Sequence, residues 1–379
     1  MQEITLIAIC TFGLEAVVKR EVKALGFDRL KTSEGKVEFQ ASVDDIPKAN
    51  LWLRSADRVL LKMGEFRAMT FDELFEGTKA LPWGDWITED GKFTVTGSSH
   101  KSTLGSVRAC QAIVKKAVVE NLKAKYHIDW FEENGPEFTI KVAMRKDVAL
   151  LTIDTSGSGL NRRGYRIHSG EAALKETMAS ALVQLSFWRE DRLLIDPFCG
   201  SGTILIEAAM LARNMAPGLN RNFASEDWPS VHPKAWKAAR RKARLAEKPP
   251  RGMQIFGYDI DDEMVDASQR NAKKAGVGDD ITFEQKDVKE LWIDKPYGIL
   301  ISNPPYGVKL GVFQELNQIY ISLHKTFRKK KGWSIYMLTA DKKFPDYFKR
   351  AKPDRVRKLF NGPLEVNYYQ YYGERPPRE

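Results

Sequence analysis

Cysteine and histidine are both scarce in this chain of 379 residues. Cys10, Cys110 and Cys199 stand far apart with no C-x-x-C pair, and the five histidines add no metal-ligand spacing, so neither a disulfide framework nor a zinc site is indicated. A reducing, cytoplasmic setting is expected. No apolar run reaches the roughly 18 residues that would suggest a membrane span. The N-terminal "MQEITLIAICTFGLEAVVKREV" places acidic Glu3 before a short apolar run and a charged amphipathic stretch after it, which argues against a signal peptide. Neither half of the region 1–156 shows a sequence repeat or low-complexity segment.

What is present is an ordinary globular composition, 43% hydrophobic and 29% charged, long enough for two or three domains. Basic residues outnumber acidic ones, 60 against 50, for a net charge of +10, which favours a polyanionic partner such as nucleic acid. The excess is concentrated in "KAWKAARRKAR" (234–244), "KTFRKKK" (325–331) and "KRAKPDRVRK" (349–358). Any one of these taken alone reads as a solvated helix face.

Residues 1–60 read as a small α+β segment: strand "EITLIAIC", helix "GLEAVVKREVKALG", strand "GKVEFQAS", helix "VDDIPKANLWLRSA". Residues 61–156 supply helix "FDELFEGTKAL", strand "KFTVTGSS", a long amphipathic helix from "SVRACQ" to "KAKY", and two strands about "RKD". A Gly/Ser-rich stretch spanning 157–168 reads as a linker. From 169 to 379 strands and helices alternate, which predicts an α/β, doubly wound, mostly parallel sheet. The final two strands, "VRKLFNGP" and "LEVNYYQYY", are joined by a turn too tight for a crossover and are expected to be antiparallel.

Four strand ends carry candidate chemistry. In "LLIDPFCGSGTILIEAA" an apolar strand stops at Asp196, a turn holds Gly200 and Gly202, and a helix starts near Thr203. Glycines at a strand's carboxyl end let backbone approach a ligand while the helix offers free N–H groups, so a nucleotide-like cofactor is implied. The turn lacks the spacing of a G-x-G-x-x-G fingerprint and the lysine of a phosphate-binding loop. "FGYDI" ends in Asp259, whose carboxylate suits the two hydroxyls of a ribose. "EQKDV" brings Asp287, an acceptor for an exocyclic adenine amine; either Asp alone would read as a solvated loop carboxylate or a helix N-cap. Finally "YGILI" is stopped abruptly by "SNPPYG" (302–307), where two prolines end the strand between Asn303 and Tyr306.

Together, "DPFCGSGT", "GYDID", "KDV" and "SNPPYG" resemble the motifs of class I S-adenosylmethionine-dependent methyltransferases that modify exocyclic amines. With "RRGYR" and "EAALKETMASALV" ahead of them, the chain is similar over nearly its whole length to THUMP-containing RNA methyltransferases, and most to the bacterial enzymes that make N2-methylguanosine in large-subunit (23S) ribosomal RNA. The resemblance implies a Rossmann-like seven-stranded catalytic sheet with a C-terminal antiparallel strand, preceded by a ferredoxin-like segment and a THUMP-like RNA-binding domain. It also implies S-adenosylmethionine held by Asp196, Pro197, Cys199, Gly200, Gly202, Thr203, Asp259, Ile260, Asp287, Val288 and Asn303. A target amine would be gripped by Asn303, Pro304, Pro305 and Tyr306: the Asn303 side-chain oxygen and the Pro304 carbonyl accept its two N–H bonds, and Tyr306 stacks on the base. Cys199, with no His–acid pattern nearby, reads as a small loop residue and not a nucleophile. RNA is the expected partner, with no membrane and no metal. Other readings stay open: an N6-adenine methyltransferase acting on DNA or RNA, an N2-guanine tRNA methyltransferase, and an RNA-binding ribosome-assembly factor without turnover.

Overall fold

The structure, a computed structural model, describes residues 3–167, 174–305 and 313–377. It resolves into two compact units. One gathers Met1–Cys10, Lys19–Leu160 and Arg221–Lys242; the other gathers Thr11–Val18, Asn161–Asn220 and Ala243–Glu379.

Through residue 154 the elements are β1 (Glu3–Ile9), α1 (Glu15–Ala24), β2 (Asp28–Ser33), β3 (Lys36–Ser42), α2 (Ile46–Trp52), β4 (Arg58–Arg67), α3 (Phe71–Lys79), β5 (Lys92–His100), α4 (Val107–Tyr126), β6 (Glu137–Arg145) and β7 (Val148–Asp154). Their strands form one sheet in the order β2-β3-β1-β4-β7-β6-β5, parallel only between β5 and β6. β6 shows why a one-sided sheet forms: Phe138, Ile140, Val142 and Met144 alternate inward while the intervening residues stay partly exposed. α4 packs beside it, begun by Ser106, whose hydroxyl accepts from the Ala109 amide at 3.3 Å, and ended by His127 in the left-handed conformation. Two strands escaped the sequence reading. β2, "DRLKTS", is charged and mostly exposed, and β4 carries a register shift between Lys62 and Gly64 that spoils its alternation. Because β4 runs from 58 to 67 and pairs with both β1 and β7, the segments divided at residue 60 share a single sheet.

The remaining elements are α5 (Glu176–Leu185), β8 (Leu194–Asp196), α6 (Thr203–Ala212), α7 (Pro233–Leu245), β9 (Ile255–Asp259), α8 (Asp262–Ala275), β10 (Thr282–Gln285), β11 (Tyr297–Ser302), α9 (Phe313–Phe327), β12 (Gly332–Thr339), α10 (Phe344–Phe348), β13 (Arg355–Asn361) and β14 (Leu364–Tyr371). The second sheet has the order β10-β9-β8-β11-β12-β14-β13. β10 through β12 are parallel, and β14 runs antiparallel to both β12 and β13. This is the doubly wound sheet expected for residues 169–379. β12 is buried at every position, as a central strand covered on both faces must be. One core lies against α5, α6 and α8, and another is built from Leu300, Tyr320, Phe327, Trp333 and Phe344.

Two segments do not follow the sequence divisions. Within the stretch 157–168, Arg163 and Tyr165 are buried, and both reach the fully buried Glu207 of α6, so its second half is an integral part of the second unit and not a spacer. Residues 221–242, lying in sequence between α6 and β9, pack with the first unit.

Candidate functional site

Parallel strands bring their carboxyl ends to one edge, and the strand order sets which ends are neighbours. β10, β9, β8 and β11 lie side by side, with Asp259 paired to Gln285 and Asp196 paired to Gly257. Asp196, Asp259, Asp287 and Asn303 therefore all emerge along the same edge, at the point where the strand order reverses beside β8.

The glycine turn between β8 and α6 is held from several sides. Gly200 and Gly202 both have positive φ, +50° and +81°. A Cβ on Gly202 would meet Phe283 and Ser268 at 3.0 Å, whereas above Gly200 there is open space. The Gly200 amide donates to Asp259 Oδ2 at 2.8 Å, and Asp259 Oδ1 accepts from the Asp261 amide at 3.1 Å. On the far side, Asn271 of α8 donates to the Ser201 carbonyl at 3.1 Å. Thr203 opens α6 and its hydroxyl accepts from Arg166 Nη2 at 2.9 Å.

Asp196 is the most constrained group at this edge. It is 2% exposed, and Oδ1 accepts both from the Ser302 hydroxyl and from the Phe198 amide, the latter at 3.1 Å. Burial pushes its pKa up to about 7, against the opposing pull of those two hydrogen bonds. Burial likewise raises the pKa of Asp259. Ser302 is the last residue of β11, so its bond to Asp196 fastens the strand end immediately before Asn303 to the strand end that carries the glycine turn.

The other expected site residues fall as follows. Pro197 and Cys199 are buried within the turn, and burial drives the Cys199 thiol well above its ordinary pKa. Ile260 is 65% exposed beside Asp259. Asp287 caps the short turn Val288–Glu290, accepting from the Lys289 amide at 2.9 Å, and Val288 is buried beneath it. Asn303 is half-buried, Pro304 buried and Pro305 exposed. Tyr306 lies outside the described residues. Three contributors were not singled out from the sequence: Ser302, Asn271 and Arg166. Ser302 and Arg166 stood inside the quoted "SNPPYG" and "RRGYR", but their partners, Asp196 and Thr203, are 106 and 37 residues away and leave no local signal.

This edge fits S-adenosylmethionine. An open backbone turn, a carboxylate at the end of the adjacent strand and an exposed apolar Ile260 next to it are what a nucleoside with an amino-acid tail requires. Among the described residues no group of three His, Cys, Asp or Glu side chains is placed to hold a metal ion, and no helix is long and apolar enough to cross a membrane.

Comparison with known proteins agrees with that geometry. Residues 163–370 match the RMKL-like methyltransferase domain, residues 5–60 the RlmL ferredoxin-like domain and residues 68–154 the THUMP domain. The chain is 47% identical, over its full length and 99% of the relative's, to the Bacillus subtilis protein named "Putative RNA methyltransferase YpsC". A crystal structure described as a predicted N6-adenine-specific DNA methylase from Listeria monocytogenes is 44% identical, with a TM-score of 0.94 over 99% of this chain and 97% of that one. SMU.472, described as a putative methyltransferase complexed with SAH, is 41% identical over the whole of both chains, with a TM-score of 0.93.

Proposed function

The chain belongs to the RMKL-like methyltransferase family, an S-adenosylmethionine-dependent group, and from that premise we propose that it methylates RNA on an exocyclic base amine, specifically N2 of a guanine in large-subunit ribosomal RNA. The observation that carries the reading is the Ser302–Asp196 hydrogen bond, which fastens the start of "SNPP" to the strand that leads into the glycine turn. Substrate-gripping and cofactor-gripping segments are thereby held as one edge.

An exocyclic amine is a poor nucleophile because its lone pair is delocalised into the ring. The cofactor, when bound, supplies an electrophilic methyl group on a sulfonium. The residues of this chain supply position: the Asn303 side-chain oxygen and the Pro304 carbonyl accept the amine's N–H bonds and favour the positive charge that grows on nitrogen. Buried Pro304 keeps that carbonyl from wandering. Alignment of this kind is worth on the order of 7 to 11 kcal/mol in well-oriented systems, so no strong general base is needed. A base drawn from a helix must first unstack, at about a few kcal/mol, and contacts elsewhere on the RNA offset that. The THUMP match is the support for RNA as the polymer.

Adenine N6 in DNA is the second reading, favoured by the description of the Listeria relative. Mass spectrometry of nucleosides separates them. In a deletion strain, large-subunit ribosomal RNA lacks one N2-methylguanosine and regains it when incubated with the protein and S-adenosylmethionine. Loss of N6-methyladenine from DNA instead would overturn the proposal.

A further inference from the structure

The most basic helix of the chain lies in the wrong half of the sequence for its place in the fold. α7 sits in sequence between α6 and β9 of the catalytic sheet, yet Arg221–Lys242 packs with the unit that contains the THUMP match. The attachment is extensive. Trp228 is buried, stacks on Phe138 of β6 with ring centres 5.0 Å apart, meets Trp86 edge-on, and donates from its indole to the Glu137 carbonyl at 3.1 Å. Ser225 donates its hydroxyl to the Thr155 carbonyl at 2.8 Å. Arg221 donates to the Ser158 carbonyl at 2.6 Å and the Ser156 carbonyl at 3.2 Å. Buried aromatic pairs with satisfied indole N–H groups make such an attachment rigid.

α7 itself is fixed by one face. Trp236 stacks on Phe223 at 5.1 Å with an angle of 19° and donates to the Ser225 carbonyl at 3.1 Å, and Arg240 pairs with Glu226 and donates to the Arg221 carbonyl at 2.8 Å. The opposite face carries Lys234, Lys237, Arg241 and Lys242, all exposed, and none of the four has a carboxylate within ion-pair reach among the described residues. Positions 234, 237 and 241 are three and four residues apart and so line one side of the helix, with 242 next to them. Seven residues at 1.5 Å each separate the first from the third, about 10 Å. An ordinary solvated face intersperses acids with bases. The helix itself, Pro233–Leu245, carries no acid, and Glu226, just ahead of it in sequence, is already taken by the inward Arg240.

We propose that this face of α7 is an RNA-docking surface, which grips consecutive backbone phosphates of the substrate. The reading rests on RNA being the substrate, and it adds which element of the N-terminal unit holds the backbone: a helix carried by 221–242, a stretch whose flanks on both sides, Asn161–Asn220 and Ala243–Glu379, belong to the other unit. A helix face of unpaired cations releases counterions when it meets phosphates and so announces itself in the salt dependence of binding.

The experiment measures binding of the full chain to a fluorescein-labelled, unstructured single-stranded RNA oligonucleotide across a salt series, for wild type and for K234A/K237A/R241A/K242A. S-adenosylmethionine affinity and the thermal midpoint are measured in parallel. The expected result is a weaker variant, by about tenfold or more at low salt, whose slope of log affinity against log salt is shallower by about 2 to 3, since each single-strand phosphate contact contributes about 0.7. Cofactor affinity and melting stay at wild-type values, and K234R/K237R/K242R keeps the wild-type slope. A quadruple variant with wild-type affinity and slope overturns the assignment of α7 alone. Wild type that shows no salt-dependent binding to this RNA, or that binds polyglutamate equally well, overturns it together with the RNA reading beneath it.

Discussion

The Gly200 amide donates to Asp259 Oδ2 at 2.8 Å, so the carboxylate at the end of β9 braces the glycine turn that follows β8. Oδ1 is engaged by the Asp261 amide. Each carboxylate oxygen has a second lone pair, which leaves Asp259 able to accept from ribose hydroxyls while it holds the turn. Asp259→Ala therefore removes both functions. Charge-assisted hydrogen bonds are worth roughly 1.5 to 3 kcal/mol each, so S-adenosylmethionine binding by calorimetry is expected to weaken by about tenfold or more. Asp259→Asn, which keeps an acceptor for the Gly200 amide, falls between Ala and wild type. Equal affinity in all three proteins removes Asp259 from the cofactor site.

A second prediction concerns pH. Asp196, buried, titrates at about 7 in the folded chain against an ordinary value of 3.8. With a raised folded value, the native state holds a proton that the unfolded state has released between those limits, so this residue favours the fold at low pH and loses that contribution as pH climbs toward 7. The cofactor carries a sulfonium and an ammonium, which favour the ionised carboxylate. Cofactor affinity is thus expected to rise with pH through about 7, with release of a proton visible as a buffer-dependent binding enthalpy. Asp196→Asn flattens the profile and raises the melting temperature of the cofactor-free protein more at pH 8 than at pH 5. Ser302→Ala, which deletes a donor to the ionised form, moves the midpoint upward. A flat wild-type profile would show that Asp196 does not titrate on binding.

Arg166 offers a third test. Its Nη2 donates to the Thr203 hydroxyl at 2.9 Å and the Leu174 carbonyl at 2.8 Å, and its Nε lies 3.1 Å from Glu176, a carboxyl that burial drives upward in pKa. Removing Arg166 leaves the buried Glu176 carboxyl without its cation, which costs up to about 3 to 5 kcal/mol. Arg166→Ala should lower stability on that scale in urea titration, whereas Arg166→Met with Glu176→Gln recovers most of the loss. If the double variant is no better than the single, the pair is not coupled. Arg166→Lys keeps the charge but not the fork, so it should fold and bind S-adenosylmethionine more weakly, because the start of α6 is held less firmly.

The order of the catalytic elements was legible because each signal is local: apolar runs such as "LLI" and "YGILI" end at residues that cannot continue a strand, and helices open at caps such as Asp261, which accepts from the Glu263 amide at 2.9 Å. β4 was missed because its register shift breaks the period of two on which strand reading depends. The home of α7 could not be read at all. Trp228, Trp236 and Arg221 are ordinary residues in sequence, and only tertiary packing shows that they belong with Phe138 and Ser158 and not with the strands on either side. The same limit hid the bond from Ser302 to Asp196: both residues stood inside quoted motifs, but nothing in a linear chain says that a serine in one touches an aspartate in the other.

The last prediction puts the catalytic reading at risk. Asn303→Ala leaves Ser302 on Asp196 and Pro304 in its buried position, so the strand end and the glycine turn should survive and cofactor affinity should change little. One acceptor for the target amine is lost, and with it a group that favours the charge developing on nitrogen. Removal of a single oriented polar group of this kind costs about two to three orders of magnitude in the chemical step. The check is single-turnover transfer from labelled S-adenosylmethionine to large-subunit ribosomal RNA, with cofactor binding measured in parallel. A fall in transfer with binding preserved marks an interaction made in the transition state. Tyr306→Phe keeps an aromatic ring and should be milder than Tyr306→Ala if the ring stacks on the base. Should Asn303→Ala transfer methyl groups at nearly the wild-type rate, "SNPPYG" would be only a rigid strand ending, and the amine would have to be held by other residues along the same edge.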